Sequence, residues 1–151
     1  MRIFLDTNVI LDYLIARGNE KATKIIFESI DSGENMGFIS TGSFYTIIYL
    51  AERFLKDNGM KNPKRLVCLR EILTSIIDSL EIVELSRESL LIGTNDLQFK
   101  DLEDSCQFQA AKASSCPCLI TTNKKDFLQS NSATIEVLTP KEFVKKHLSE
   151  K

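Results

Sequence analysis

The stretch FLDTN (residues 4–8) decides how this sequence folds. The run that leads into Asp6, residues 2–5, is short, branched and aromatic, which is typical of a buried strand. Asp6 then stands where the strand ends and the chain turns into the apolar residues 9–11. A carboxylate in such a place costs free energy unless a partner compensates it. The sequence therefore predicts either a helix that Asp6 caps or a cation that Asp6 binds.

Segments with strand and helix character alternate along the rest of the chain. Further strands are predicted at 37–40, 81–85, 118–121 and 135–138, and helices at 20–30, 41–55, 66–80, 86–95, 101–115 and 139–148. This alternation is typical of a parallel sheet covered on both faces. We therefore predict an α/β fold, a three-layer α/β/α sandwich around a parallel sheet of four to five strands, as one domain over residues 1–151.

Charge and hydropathy exclude several classes of protein. Lys and Arg total 19 against 21 Asp and Glu, so a formal net charge of −2 gives no general attraction for nucleic acid or anionic membranes. A polyanion would have to be held by a local patch or a metal. No apolar run approaches the roughly 20 residues of a membrane helix, and the N-terminus lacks a signal-peptide pattern. We expect a soluble, cytoplasmic protein without a membrane partner.

Histidine and cysteine are poorly placed for catalysis. The single histidine, His147, lies in the predicted tail helix, which disfavours Ser/His/Asp and Cys/His mechanisms. Cys116 and Cys118 are too close together for a zinc-binding pair of the usual spacing, and no histidine lies near them. The cysteines are predicted to be buried or incidental thiols.

Polar residues follow the carboxyl ends of the predicted strands, which meet at one edge of a parallel sheet. We expect Asp6, Asp104 and Asp126, with Asn123 beside them, to meet there and hold a divalent cation. Mg²⁺ or Mn²⁺ suits such oxygen ligands and would activate a water for phosphodiester hydrolysis. The alternative is that acids at helix starts simply interact with the helix dipole.

Four segments in this order resemble the PIN-domain family: FLDTNVILDYL, DLEDSCQFQAA, LITTNKKDF and IEVLTPKEFV. Its members are metal-dependent ribonucleases that include VapC-like toxins of bacterial toxin–antitoxin pairs. The resemblance implies a Mg²⁺- or Mn²⁺-dependent endoribonuclease that acts on RNA, with an antitoxin as protein partner. Toxins of this family are often dimers, and the aromatic residues of the helix at 41–55 are compatible with a homodimer.

The resemblance also assigns roles to individual residues. Asp6 and Asp104 match the direct metal ligands, and Glu103 and Asp101 match outer-sphere or second-metal positions, with Asp101 the weaker candidate. The remaining matches are Asn123 and Asp126, where the family places its last acid or a polar substitute, Asn8, which orders the metal site, and Thr7 and Thr122, whose hydroxyls lie near it.

One position departs from the family pattern. The family usually has a glutamate on the helix after the second strand, where this chain has Thr46, an uncharged hydrogen-bonding residue. Losing this acid weakens cation binding. The alternative is therefore a catalytically weak or inactive PIN-like module that binds RNA or a protein partner. A nucleotide-binding flavodoxin-like domain is disfavoured, because no glycine-rich phosphate loop follows the first strand.

Overall fold

The fold is built on a five-stranded parallel sheet, and the candidate residues lie near the carboxyl ends of its strands. A computed structural model describes residues 1–15, 20–127 and 134–148. The strands are β1 (Arg2–Leu5), β2 (Met36–Ser40), β3 (Leu80–Val83), β4 (Cys118–Ile120) and β5 (Glu136–Leu138). All pairs are parallel, and the order across the sheet is β3-β2-β1-β4-β5. The chain thus builds outward from β1 on one side and then returns to add β4 on the other, which makes the β1–β4 boundary the switch point where ligands collect in such sheets.

Helices connect the strands and cover both faces of the sheet. They are α1 (Thr7–Leu14), α2 (Glu20–Asp31), α3 (Thr41–Asp57), α4 (Lys64–Ser79), α5 (Arg87–Asn95), α6 (Leu102–Ala113), α7 (Lys124–Phe127) and α8 (Pro140–Phe143), and α8 continues as a π-helical turn, Val144–Leu148. Among the described residues, no helix is long and apolar enough to cross a membrane.

Side chains of β1 alternate between two cores, as the period of two in a strand requires. Ile3 and Leu5 pack into one cluster with residues of α1, α2, α3, α4 and α8. Phe4 points to the other face, where it packs with Phe108 of α6 and Phe127 of α7. The predicted three-layer α/β/α fold is therefore confirmed, with five strands.

Most element boundaries agree with the predictions, and the differences have physical causes. β3 begins at Leu80 and ends at Val83, earlier than the predicted 81–85, because it pairs with residues 37–40 of β2. The helix that Asp6 was predicted, as one alternative, to cap had no predicted bounds; it is α1, in which residues 9–11 are buried. A short continuous apolar run does not distinguish a buried strand from a buried helix.

Candidate active site

Asp6 lies at the carboxyl end of the central strand β1 and is 3% exposed. Its Oδ1 accepts a hydrogen bond from the backbone N–H of Thr7 at 2.8 Å, and its Oδ2 accepts one from the Thr121 hydroxyl at 2.8 Å. Burial raises the pKa of Asp6 to about 6, although both hydrogen bonds oppose the rise. Asp6 therefore caps α1, as one alternative predicted, and its carboxylate is also held in a fixed direction at the switch point.

Asp104 lies in the first turn of α6 and is only partly exposed. Its pKa is raised to about 7, first by burial and then by the negative charges of four other acids: Asp6, Asp101, Asp126 and Glu103. A carboxylate feels such effects only from nearby charges. The structure therefore brings together at one edge the acids that the sequence predicted to meet there.

The acids at this edge interact without being arranged as a complete ligand shell. Asp101 caps α6 through the backbone N–H groups of Glu103 and Asp104, at 2.8 and 3.3 Å. Asp126 is exposed on α7. Within the described ranges, no three acid, histidine or cysteine side chains already stand in a geometry that holds a metal ion. The donor chemistry suits a hard divalent cation, because carboxylates that raise one another's pKa are stabilised by a positive charge between them.

Residues after β4 divide into those that support Asp6 and those that face solvent. Thr121 is fully buried, donates to Asp6 and accepts a hydrogen bond from the backbone N–H of Asn123 at 3.0 Å. Asn123 is exposed, and Thr122 is partly exposed. The threonine that contacts Asp6 is thus Thr121, which the sequence analysis did not single out because its hydroxyl belongs to an apolar-looking strand end.

A buried polar network joins the elements that carry the acids. Gln107 donates to the hydroxyls of Thr7, at 3.2 Å, and Ser43, at 2.5 Å, and accepts from the hydroxyl of Ser40 at 3.0 Å. The Thr7 hydroxyl donates to Ser43 at 2.9 Å. Each of these four residues is at most 5% exposed. Buried polar groups need such partners, so the network fixes α6 and α3 against the start of α1.

Sequence reasoning named Thr7 as a supporting residue but missed its partners Gln107 and Ser43. Gln107 follows Asp104 by one helical turn, and Thr7 follows Asp6 directly. The hydrogen bond between Gln107 and Thr7 therefore ties together the backbones that carry the two central acids. The available signal was a glutamine one turn after an acid, in a helix that continues with small and apolar residues at 108, 110, 111 and 113.

The two other supporting positions are peripheral. Thr46 is partly exposed, and its hydroxyl donates to the carbonyl of Gly42 at 3.2 Å within α3. Asn8 is partly exposed in the first turn of α1. Lys124, beside the acids in sequence, pairs with Glu142 through an Nζ–Oε2 distance of 2.9 Å.

A cavity of about 370 Å³ opens beside the acids, between α3, α6 and the chain that leads from β3 into α5. Val83, Leu85 and Leu90 form an apolar wall. Thr46 of α3 and Glu103 of α6 both line the cavity. The position where the family pattern has a glutamate thus faces an acid from a neighbouring helix.

The single histidine lies at the opposite end of the sheet. His147 is in the π-helical turn, and its Nε2 is 3.9 Å from Oε2 of Glu136, the first residue of β5. It is therefore remote from the acids, which agrees with the sequence-based argument against histidine catalysis.

Comparison with known proteins identifies the family. The chain is 29% identical over 147 residues to ribonuclease VapC1 of Aquifex aeolicus (strain VF5), covering 94% of this chain and 92% of that protein. Its fold is similar to the crystal structure of VapBC2 from Rickettsia felis bound to a DNA fragment from their promoter, with a TM-score of 0.64, 17% identity, and coverage of 91% of this chain and 98% of that one. A family model described as PIN domain matches residues 2–125. The chain therefore belongs to the PIN-domain family.

Proposed function

We propose that this protein is a divalent-metal-dependent endoribonuclease, the toxin of a toxin–antitoxin pair. The observation that carries the proposal is the pair Asp6 and Asp104, two carboxylates at the switch point of the sheet whose pKa values are raised to about 6 and about 7. The similarity to a protein named as a ribonuclease supports the same activity. Partners of the chain are an RNA substrate and, as the similarity to VapBC2 supports, an antitoxin.

Some residues of the site would ligate Mg²⁺ or Mn²⁺ directly, and others would position those ligands. Asp6 and Asp104 are the direct ligands, and Thr121 holds the Asp6 carboxylate in place. Asp126 or Asn123 completes the site from the exposed chain after β4. When bound, the ion lowers the pKa of a coordinated water and offsets the charge of the scissile phosphate.

Glu103 offsets part of the loss of charge at position 46. It follows Asp101 and precedes Asp104 on α6, and its charge raises the pKa of both Asp6 and Asp104. Because it lines the same cavity as Thr46, its carboxylate approaches the edge from the side where the family pattern has its glutamate. The exposed side chain of Glu103 can rotate toward the ion when one binds.

We place the protein in the cytoplasm as a single PIN domain over residues 1–151, with a homodimer as its proposed assembly. Two tyrosines of α3, Tyr45 and Tyr49, are 67% and 63% exposed. Exposed aromatic side chains on one helix are typical of an interaction surface.

The test of the proposed function is a Mn²⁺ titration by calorimetry together with an RNA cleavage assay. We expect the wild type to bind Mn²⁺ and cut RNA, and Asp6→Asn and Asp104→Asn to lose both while remaining folded by circular dichroism. Glu28→Gln, a change at an exposed acid of α2, is the matched control and should behave like the wild type. If both site variants cut RNA as well as the wild type, the site assignment is wrong.

The second candidate function is a PIN module that binds RNA or a protein without cleaving. Thr46 and the lack of a preformed ligand shell among the described residues favour it. Thr46→Glu separates the two functions. A weakened nuclease should gain Mn²⁺ affinity and a higher turnover rate, whereas a binding module should show no cleavage with either residue.

A further inference from the structure

We propose that the cavity between α3, α6 and the connection from β3 to α5 is a nucleobase pocket, which holds the base of an RNA nucleotide whose phosphate lies at the acids. The inference rests on the proposed function and names a substrate subsite for it. A volume of about 370 Å³ lies within the range of about 300–1,000 Å³ that small-molecule sites occupy.

The cavity and the acids share structural elements. Gln107 lines the cavity and donates a hydrogen bond to Thr7, the residue that follows Asp6. Glu103 lines the cavity and immediately precedes Asp104. A phosphate bound through a cation at Asp6 and Asp104 would therefore lie close to this cavity, and the attached nucleoside would have the space beside it.

The lining suits the faces and the edge of a base. Val83, Leu85 and Leu90 offer apolar side chains, and a base has apolar faces that are stabilised by such contacts. Thr46 and Glu103 contribute oxygens that accept hydrogen bonds from the N–H groups along a base edge. Specific recognition of RNA by proteins relies on such combinations around unstacked bases.

The residue at position 46 keeps this space open. Thr46 lies one turn after Gly42 on α3, and these two small residues face the cavity together. The longer side chain of a glutamate at position 46 would fill part of this cavity. Thr46 therefore leaves more of the cavity open to a base than a glutamate would.

The binding experiment uses the Mn²⁺-loaded protein and five probes: the 5′-monophosphates of adenosine, guanosine, cytidine and uridine, and ribose 5-phosphate, which lacks a base. We expect at least one nucleotide to bind about tenfold more tightly than ribose 5-phosphate, because contacts to a base add to those of the phosphate. Affinities are measured by calorimetry under conditions in which the metal is saturating.

A thiol inside the cavity reports where the base binds. Cys106 lines the cavity and is partly exposed, and Cys68 of α4 is a similarly exposed thiol elsewhere. The tight-binding nucleotide should slow the alkylation of Cys106 by iodoacetamide, as followed by mass spectrometry, and should leave that of Cys68 unchanged. Ribose 5-phosphate should protect neither thiol.

Two adjacent leucines of α5 provide matched variants. Leu90 lines the cavity, and Leu91 is exposed to a similar extent without being part of the lining, with exposed fractions of 45% and 57%. Leu90→Ala should lower the affinity for the preferred nucleotide about threefold by removing apolar wall area. Leu91→Ala should not, and both variants should bind Mn²⁺ and ribose 5-phosphate like the wild type.

The outcomes separate this inference from the function on which it rests. Equal binding of ribose 5-phosphate and all four nucleotides, or unprotected Cys106 in the presence of bound nucleotide, overturns the pocket and leaves the metal site standing. Failure of the wild type to bind Mn²⁺ overturns the proposed function, and the nucleobase pocket with it.

Discussion

The charged side chains at the two ends of the sheet have different surroundings. At the amino end, Glu136 pairs with Lys146 at 2.5 Å, and the Arg2 guanidinium donates to the carbonyl of Ser114 at 2.7 Å. At the carboxyl end, the neighbours of Asp104 that raise its pKa are all carboxylates. Glu136, Lys146 and Arg2 thus have partners within the chain, whereas the clustered acids around Asp104 repel one another. This difference supports the proposed cation site at the carboxyl end.

The largest effect should come from neutralising an acid at the carboxyl end. Asp104→Asn should lower the rate of RNA cleavage at least ~10³-fold, since a lost metal interaction is worth several kcal/mol and each 1.4 kcal/mol is about tenfold. Glu136→Gln, at the amino end, is the counterpart and should cut at the wild-type rate. Single-turnover cleavage of a labelled RNA measures the rate of each variant. If Glu136→Gln lost as much activity as Asp104→Asn, the two ends would not differ in function.

The second effect is a pH dependence that the repulsion imposes on the metal-free protein. The folded pKa of Asp6 is about 6 against an ordinary value of 3.8, so the folded chain keeps a proton that the unfolded chain has already released. The free energy of unfolding therefore falls as pH rises through this window, by on the order of 3 kcal/mol for Asp6. Asp104, with a pKa of about 7, extends the fall in the same direction.

Thermal unfolding of wild type and Asp6→Asn without metal measures this dependence. At about pH 8 the variant should unfold at a higher temperature than the wild type, because it lacks the buried charge, and the difference should shrink as the pH falls below the Asp6 pKa. With saturating Mn²⁺, the wild type should no longer unfold at a lower temperature than the variant. A variant that is less stable at every pH would show that hydrogen bonding by Asp6 outweighs its burial cost.

The third effect tests the buried network that sets the spacing of the acids. Gln107→Met keeps the volume but removes the hydrogen bonds to Thr7, Ser40 and Ser43, and should weaken Mn²⁺ binding about 10–100-fold, as the loss of outer-shell partners does. Gln109→Met is the matched control, since Gln109 is a glutamine of the same helix with 6% exposure. If both variants bound Mn²⁺ equally, the hydrogen bonds of Gln107 would have no role in the metal site.

The smallest effect should come from the amino end itself. Lys146→Met breaks the ion pair with Glu136. The side chains of Lys146 and Glu136 are 53% and 43% exposed. Exposed pairs contribute about 0–1 kcal/mol, so urea denaturation should show a change within that range. Mn²⁺ affinity should not change, and a loss of metal binding would mean that the two ends are coupled.

Much of the fold could be predicted because its signals are local. The Thr139 cap, the proline after it and the capping-box Glu142 mark the start of the last helix, and the structure shows all three in place. Alternating strands and helices then imply the parallel sheet. The continuation of this helix as a π-helical turn had no such local signal.

The charged residues of the site could be predicted from the sequence, and the neutral residues that position them could not. Asp6 and Asp104 stand out because buried or clustered acids are costly. Gln107, Ser43 and Thr121 are neutral residues, and their importance comes from partners 64, 100 and 115 residues away along the chain. A single sequence does not display such pairings, since only the folded chain brings the partners together.

The order of strands has a consequence for how the protein becomes active. The central strand β1 is made first, but its pairing with β4 joins Leu5 to Ile120, so the switch point closes only after most of the chain exists. Pairings over such distances in sequence form late and slowly. A growing chain therefore carries Asp6 without an acid cluster around it until Asp104 and β4 have been made. The proposed nuclease site therefore forms only after α6 and β4 have been made and β4 has paired with β1.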